Sequence, residues 1–545
     1  MTSKRDSRFD LSAAVRERGF TPRGADRDAL LALLAADDDT ADHAERALAL
    51  LGVYAGREAL ARATAPARDD EQLAARARLV RAAGRIAATA EGAELREGIA
   101  ALLSDADPKV RRAAARALGA SGDRRFAALL LERAEADDVD VSERKALVAA
   151  LGKLGDANAL AVVADVARDA DDAELRRVAE EAALRLSRDV VRAEGESTID
   201  GDAPVPHDVT VALASRAGFE DLLVDEALEL LDAKRAGAGG AQGTLPAGGT
   251  LSTLRTLRTA SRVELLGGEA RIVDGDVAAA AAIALASKTT YALLRAVTTG
   301  SVRYRVAWPG GAHRRADTFR VALEASRLRP EFVNDPRDAP WEARIEIEQR
   351  AGRVRVWLSP NALPDTRFDY LEERAEGASH PTVAAALARL GGVRPDDIVW
   401  DPFCGAGTEL VERARLGPYA ELYGTDIDGR VAELAKGTIA RAGLKSASIH
   451  QADALVEAPP RAPTLVVTNP PLGRRVGRDR DPGKLLCELA ARLPEVLAPG
   501  ARVVWLSPQP DRTARALVAA GFRVTDGIRV DLGGVFAERQ VAFLE

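Results

Sequence analysis

Asp401-Pro402-Phe403-Cys404-Gly405-Ala406-Gly407-Thr408 stands near the C-terminal end of a 545-residue chain, directly after the apolar run Ile398-Val399-Trp400. That order predicts a strand, a tight glycine turn and a helix from Thr408 to Leu416 whose first N–H groups face whatever lies over the turn. Gly405 and Gly407 let backbone approach a ligand that a Cβ would push away. A phosphate-binding loop wants a Lys before the Thr, and here Ala406-Gly407 precedes it. A dinucleotide fingerprint wants a third glycine where Leu410 stands. A nucleoside cofactor without phosphates is the better fit.

Further short apolar segments follow at Leu422-Tyr423-Gly424, Ser448-Ile449-His450, Leu465-Val466-Val467 and Val503-Val504-Trp505-Leu506. With helical stretches between most of them, they predict an open α/β sheet of Rossmann-like type whose ligand lies at the carboxyl ends of the strands. The second strand ends at Asp426, in Gly424-Thr425-Asp426-Ile427-Asp428, where a carboxylate can accept both ribose hydroxyl protons. The third ends near Asp453, at the height of an adenine whose exocyclic amine it can accept. The fourth delivers Thr468-Asn469-Pro470-Pro471-Leu472-Gly473. An aromatic amine is a poor nucleophile because its lone pair is delocalised. The Asn469 side-chain oxygen and the Pro470 carbonyl can hold its hydrogens so that the lone pair points at a sulfonium methyl, with alignment supplying most of the rate. The proline pair stiffens that loop.

Upstream the texture differs. Asp107-Pro108-Lys109-Val110-Arg111 opens a helical phrase ending Ala117-Leu118-Gly119, and Asp123, Asp156 and Asp189 recur 33 residues apart. That is the length of a two-helix unit that buries its apolar stripe only by stacking on its neighbours. Residues 1–195 are therefore expected to form an α-solenoid resembling HEAT repeats, acidic enough to suit docking of a protein partner. Residues 205–375 are expected to form a central α+β domain, with Ala236 to Thr250 as a loop and strands at Val302 to Trp308, Glu342 to Glu348 and Val354 to Leu358. The formal charge is -7, yet Tyr291 to Pro330 holds eight arginines against Asp317 and Glu324. A polyanion is welcome there, with Arg303 and Arg305 as the nominated contacts.

Cys404 and Cys487 make no disulfide framework and have no second sulfur or histidine at metal-ligand spacing, so no metal site is expected. No segment offers the apolar run of a leader or membrane span, and a cytoplasmic protein is expected. His380 reads as the start of the helix entering the C-terminal domain.

Residues 380–545 resemble the class I S-adenosylmethionine-dependent methyltransferases that modify RNA nitrogen, the group whose catalytic domain follows a THUMP-type RNA-binding module and methylates guanine N2 in transfer or ribosomal RNA. The phrases that carry it are Asp401 to Thr408, Asp426-Ile427-Asp428 and Thr468-Asn469-Pro470-Pro471-Leu472-Gly473-Arg474-Arg475. Fainter likeness extends to Phe332-Val333-Asn334-Asp335-Pro336, to Trp341 through Pro360 and to Arg367-Phe368-Asp369-Tyr370. The resemblance implies S-adenosylmethionine as cofactor, lined by Gly405 and Gly407, with Asp426 on its ribose and Asp453 on its adenine. Asp401, Phe403, Thr408 and Ile427 complete that set. Asn469, Pro470, Pro471 and Leu472 form the catalytic corner, with Arg474 and Arg475 beside the flanking phosphates. Relatives place Tyr or Phe where this chain has Leu472, so part of the roughly 1–3 kcal/mol of base stacking is missing or comes from elsewhere, with Phe403, Trp505 and Phe536 as possible substitutes. The leading expectation is methylation of an exocyclic amine in RNA, guanine N2 of transfer or ribosomal RNA. Adenine N6 in RNA or DNA, a protein nitrogen, or a scaffold without turnover remain the alternatives.

Overall fold

The computed structural model describes residues 10–17, 19–35, 39–67, 70–311, 314–371, 379–472 and 481–545. The chain divides into two compact units, one of Met1–Glu196 with Arg329–Asp335, the other of Ser197–Leu328 with Pro336–Glu545.

The first unit is helical. Its long inner helices Asp70–Ala87, Pro108–Ser121, Val141–Leu154 and Ala173–Glu194 stack in succession. The last three begin at side-chain caps: Asp107 accepts from Lys109 N, Asp140 from Glu143 N and Asp172 from Leu175 N. Asp123 and Asp156 cap the intervening turn and outer helix. Asp189 is a correction, because it lies inside the helix Ala173–Glu194 and caps nothing. Contact between inner helices is set by small residues. A methyl built on Gly119 would lie 2.8 Å from Cα and Cβ of Ala150, and one on Gly152 would lie 2.6 Å from Cβ of Ala182. Gly84 meets Ala117 in the same way. Arg111, from the Asp-Pro-x-Val-Arg phrase, pairs with buried Glu143 of the next inner helix at 2.7 Å. The segment Arg329–Asp335 joins this unit through Arg188 on the Asn334 carbonyl (2.5 Å) and Arg192 on Asp335 (2.8 Å).

In the second unit, strands line up in the order Lys234–Arg235, Gly240–Leu245, Val209–Ala214, Arg262–Arg271, Arg353–Pro360, Trp341–Glu348 and Val302–Ala307. Ala236 to Thr250 is thus not wholly a loop, since Gly240–Leu245 pairs antiparallel with Val209–Ala214. Gly243 is there for close approach, because a Cβ would sit 2.5 Å from the Leu231 carbonyl.

A second sheet follows, formed by β1 (Ile398–Asp401), β2 (Glu421–Asp426), β3 (Ala447–Gln451), β4 (Leu465–Thr468), β5 (Arg502–Ser507), β6 (Phe522–Asp531) and β7 (Phe536–Leu544) in the order 3-2-1-4-5-7-6. The first five are parallel, and β7 is antiparallel to both β5 and β6. Helices α1 (Pro381–Gly391), α2 (Thr408–Leu416), α3 (Gly429–Arg441), α4 (Pro482–Val496) and α5 (Pro510–Ala519) accompany it. Both faces are buried with a period of two. Val399, Leu465, Val467, Val504 and Leu506 enter one core, while Trp400, Val466, Val503 and Trp505 enter the other. The strand order reverses between β1 and β4, which opens a crevice at the carboxyl ends of those two strands.

Candidate active site

The glycine turn lies where β1 meets α2. Gly405 and Gly407 have φ of 51° and 80°, in the left-handed region that favours glycine. Gly407 is the N-terminal cap of α2, where a methyl would find room against Ala435 of α3 at 3.4 Å, so its left-handed φ is what calls for glycine. The Cys404 N–H donates to the Thr425 carbonyl at 2.9 Å, which pins the turn to β2.

Two carboxyls, Asp401 and Asp426, bond its backbone. Asp401 is fully buried; one oxygen accepts from Phe403 N at 3.2 Å and the other has no hydrogen-bond partner. Burial, followed by the neighbouring Glu409 and Asp426, raises its proton affinity well above that of an ordinary aspartate. Asp426, half-buried at the end of β2, is aimed by two backbone donors, Gly405 N at 3.1 Å and Asp428 N at 2.9 Å. Burial raises its pKa as well. Each of its oxygens keeps capacity for a further donor. Beside it Ile427 is 58% exposed, a large apolar side chain left in the open next to a carboxylate. Asp453, just past β3, is half-buried and accepts from Leu455 N at 3.0 Å.

At the end of β4 the Asn469 amide nitrogen donates to Ser379 Oγ at 2.9 Å, while its Oδ1 is buried and has no partner. A buried amide oxygen without a donor is costly unless something arrives to supply one. Thr408 Oγ1, Glu409 Oε1 and Thr468 Oγ1 are buried and unpartnered too. Pro470 is buried, and Pro471 and Leu472 are half-buried. The turn from Asp401 to Thr408, the pair Asp426 and Ile427, and Asn469 thus sit at the carboxyl ends of β1, β2 and β4, the ends that meet at the crevice.

Burial, then the negative charge of Asp401, Asp426 and Glu409, pushes the Cys404 thiol far above its usual range, which opposes a nucleophilic role. His380 caps α1, with Nδ1 at 2.8 Å from Thr382 Oγ1, and burial lowers its pKa.

The nominated substrate arginines fare differently. Arg303 is only 3% exposed, with Nε on Ser301 Oγ at 3.1 Å. Val302, Arg303 and Tyr304 are all buried, so Arg303 faces the interior and not a polyanion at the surface. Arg305 is exposed but pairs with Glu342 on the neighbouring strand at 2.8 Å. Arg474, Arg475, Arg478 and Arg480 lie outside the described residues. Sequence reasoning passed over Ser379, Glu409 and Thr468. Glu409 carried a signal, being a carboxylate in the first buried turn of the helix behind the glycines.

Comparison with known proteins bears on this same segment. Residues 369–538 match the RMKL-like methyltransferase domain. Residues 58–144 and 97–184 match HEAT repeats. The chain is 33% identical over 196 residues to the tRNA (guanine(6)-N2)-methyltransferase of Thermus thermophilus, covering 35% of this chain and 57% of that protein. It is 31% identical over 167 residues to the tRNA (guanine(10)-N2)-dimethyltransferase of Methanothermobacter thermautotrophicus, covering 30% of this chain and 45% of that one. The chain therefore spans about half the length of these relatives. The crystal structure of TrmN from Thermus thermophilus superposes with a TM-score of 0.51 at 24% identity, over 62% of this chain and all of that one, and supports the fold. Among the described residues no single helix is long and apolar enough to cross a membrane, and no cluster suits a metal ion.

Proposed function

We propose that the chain transfers a methyl group from S-adenosylmethionine to an exocyclic amine of a base in RNA, guanine N2 of transfer or ribosomal RNA. The observation that carries this is Asn469, whose buried Oδ1 has no donor while its Nδ2 is held by Ser379. Support also comes from the methyltransferase-domain match and from the relatives named above.

The pocket residues fit the cofactor. Gly405 and Gly407 give the turn its left-handed backbone, Asp426 is oriented by two N–H groups with acceptor capacity left for two ribose hydroxyls, and Ile427 offers an apolar face to an adenine. Asp453 serves as acceptor for the adenine amine, and Asp401, Phe403 and Thr408 complete the wall. When bound, S-adenosylmethionine supplies a methyl group on a positively charged sulfur. The chain's own part is alignment: Asn469 Oδ1 and the Pro470 carbonyl accept the two amine hydrogens and turn the nitrogen lone pair toward that methyl. The buried carboxyls favour a cation in the pocket. No strong base is needed, because the nitrogen becomes acidic as it gains the methyl and sheds a proton afterwards. Pro471 and Leu472 give an apolar edge to the base.

We assign the central segment, residues 205–375, as a THUMP-like module that engages RNA backbone, and residues 1–195 as a docking surface for a protein partner. The test is transfer of labelled methyl to transfer and ribosomal RNA, followed by digestion to nucleosides and mass spectrometry. N2-methylguanosine is expected, and Asn469→Ala lowers kcat by about 100-fold or more while cofactor affinity is kept. Cofactor binding without label in either RNA sinks the proposal.

A further inference from the structure

On the reading that this site methylates an amine in RNA, we propose that Phe536 and Arg529 form a platform on which an unpaired base beside the target stacks, with Arg216 at its phosphate. The sequence offers three aromatic side chains for stacking, Phe403, Trp505 and Phe536, while the catalytic corner itself carries Leu472. The structure separates them. Trp505 is fully buried and its indole N–H donates to Gln540 at 2.8 Å, and Phe403 packs half-buried against the same core. Phe536 is 51% exposed. Stacking needs an open ring face, and of the three Phe536 presents the widest.

Its place in the sheet suits the role. Thr468, just before Asn469, pairs with Trp505 of β5, and β7 runs antiparallel to β5 with Glu538 opposite Ser507. The start of β7 therefore lies beyond the carboxyl end of β5, on the side of the sheet where Asn469 stands. Two strand spacings across the sheet and three residues along it separate the Phe536 and Asn469 backbones, roughly 15 Å. That is too far for a base held at Asn469, and a short step along an extended strand for its neighbour.

The charges around the ring leave room for an anion. Arg529 stands opposite Glu538 in the β6–β7 ladder, yet its guanidinium lies 3.9 Å from the centre of the Phe536 ring, and Glu538 takes a bond from Gln540 instead. Asp531, opposite Phe536, is occupied by the hairpin turn, accepting from Gly533 N at 2.8 Å and Gly534 N at 2.9 Å. Arg216 reaches the same turn, where a Cβ built on Gly533 would lie 3.3 Å from its Nη1. Among the described residues no carboxylate forms an ion pair with Arg216 or Arg529. An open ring with one guanidinium stacked on it and a second beside it matches a base and its phosphate.

The experiment uses the full chain and an RNA that wild type methylates, with a fluorescent base analogue placed in turn at the positions flanking the target. Wild type is expected to change the fluorescence at one of these positions on binding. Phe536→Ala abolishes that change and raises RNA KM roughly 5- to 100-fold, with kcat at saturating RNA and cofactor Kd within about 2-fold of wild type. Phe536→Trp keeps the platform and a KM near wild type, whereas Phe536→Leu, apolar but without a π face, does not. Arg216→Gln weakens RNA binding and lowers the slope of log affinity against log salt by about 0.7, the loss of one phosphate contact on a single strand. Wild-type KM and fluorescence in Phe536→Ala, or an unchanged salt slope in Arg216→Gln, overturns the proposal. If Phe536→Ala fails to fold, Phe536→Leu and Arg216→Gln decide the matter. A wild-type chain that binds cofactor and labels no RNA sinks the parent reading instead, so the two failures are distinguishable.

Discussion

Asp426 shows how a single side chain is made ready for a ligand. Two backbone N–H groups fix its carboxylate, burial raises its proton affinity, and no cation pairs with it among the described ion pairs. Charge-assisted hydrogen bonds contribute about 1.5–3 kcal/mol each, so Asp426→Ala is expected to weaken cofactor binding roughly 10- to 100-fold by calorimetry. Thermal stability of the free protein should fall slightly, because the N–H groups of Gly405 and Asp428 lose their acceptor. Residues of this kind were legible because each ends an apolar run, and a carboxylate or asparagine at that place has few structural reasons to be there. Asp401, Asp426 and Asn469 all obey that rule. Arg303 broke the reverse rule, that a charged residue alternating with Val302 and Tyr304 faces water, because its strand is covered on both sides there. Ser379 gave no signal, since a serine two residues before a helix-opening proline reads as a helix start.

At the level of elements, the 33-residue period has its cause in the phrase Ala-Leu-Gly. Ala117 fits against Gly84 of the preceding inner helix while Gly119 receives Ala150 of the next, and Gly152 then receives Ala182. Gly119→Val should therefore force two inner helices apart and cost about 1–3 kcal/mol in the denaturant-induced unfolding of the first unit. Ala120→Val, exposed on the same helix, serves as the control and should change little. The aspartates that recur every 33 residues have mixed roles, and the caps that do open inner helices, Asp107, Asp140 and Asp172, emerge only once helix ends are known. Strands β6 and β7 were missed for a related reason: a search for parallel strand-helix units passes over an antiparallel pair appended at the edge. The opposite end of the second sheet rests on Asp397, fully buried between Arg413 of α2 at 2.7 Å and Arg502 of β5 at 2.8 Å. Burial alone would raise its pKa, but the two guanidiniums overcome that and hold it at about 2. A depressed aspartate stabilises the fold above its unfolded value near 3.8 and loses that contribution as pH falls through about 2. It is worth about 2 kcal/mol. Urea unfolding at neutral pH and near pH 3 should show part of that loss in wild type, and Asp397→Asn should be destabilised at neutral pH with a flatter dependence.

Across the second unit as a whole, the question is how a strand-rich central segment and a methyltransferase-like segment come to be one compact body. The sequence texture separated them at about residue 380, since periodicity reports local structure and is silent about docking. The join is made by side chains whose partners lie far along the chain. Arg258 pairs with Glu412 at 2.7 Å and donates to the Arg367 carbonyl, and the Tyr370 hydroxyl donates to the same Glu412. Glu226 accepts from Arg389 of α1 at 2.8 Å and from the backbone at Arg258 and Thr259. Asp221 holds Arg539 of β7 at 2.6 Å. Phe219 and Leu222 from the central segment enter the same core as Val399 and Leu465. A buried carboxylate deprived of its cation is strongly destabilising, whereas the pair as a whole adds little over an apolar replacement. Arg258→Met should therefore destabilise the second unit by about 3–5 kcal/mol, with both segments losing structure in one transition by hydrogen exchange. Arg258→Met with Glu412→Gln should recover much of that loss. If the single substitution instead melts the central segment alone and leaves the methyltransferase-like segment protected, the ion pair is a surface clasp, and the two segments fold independently.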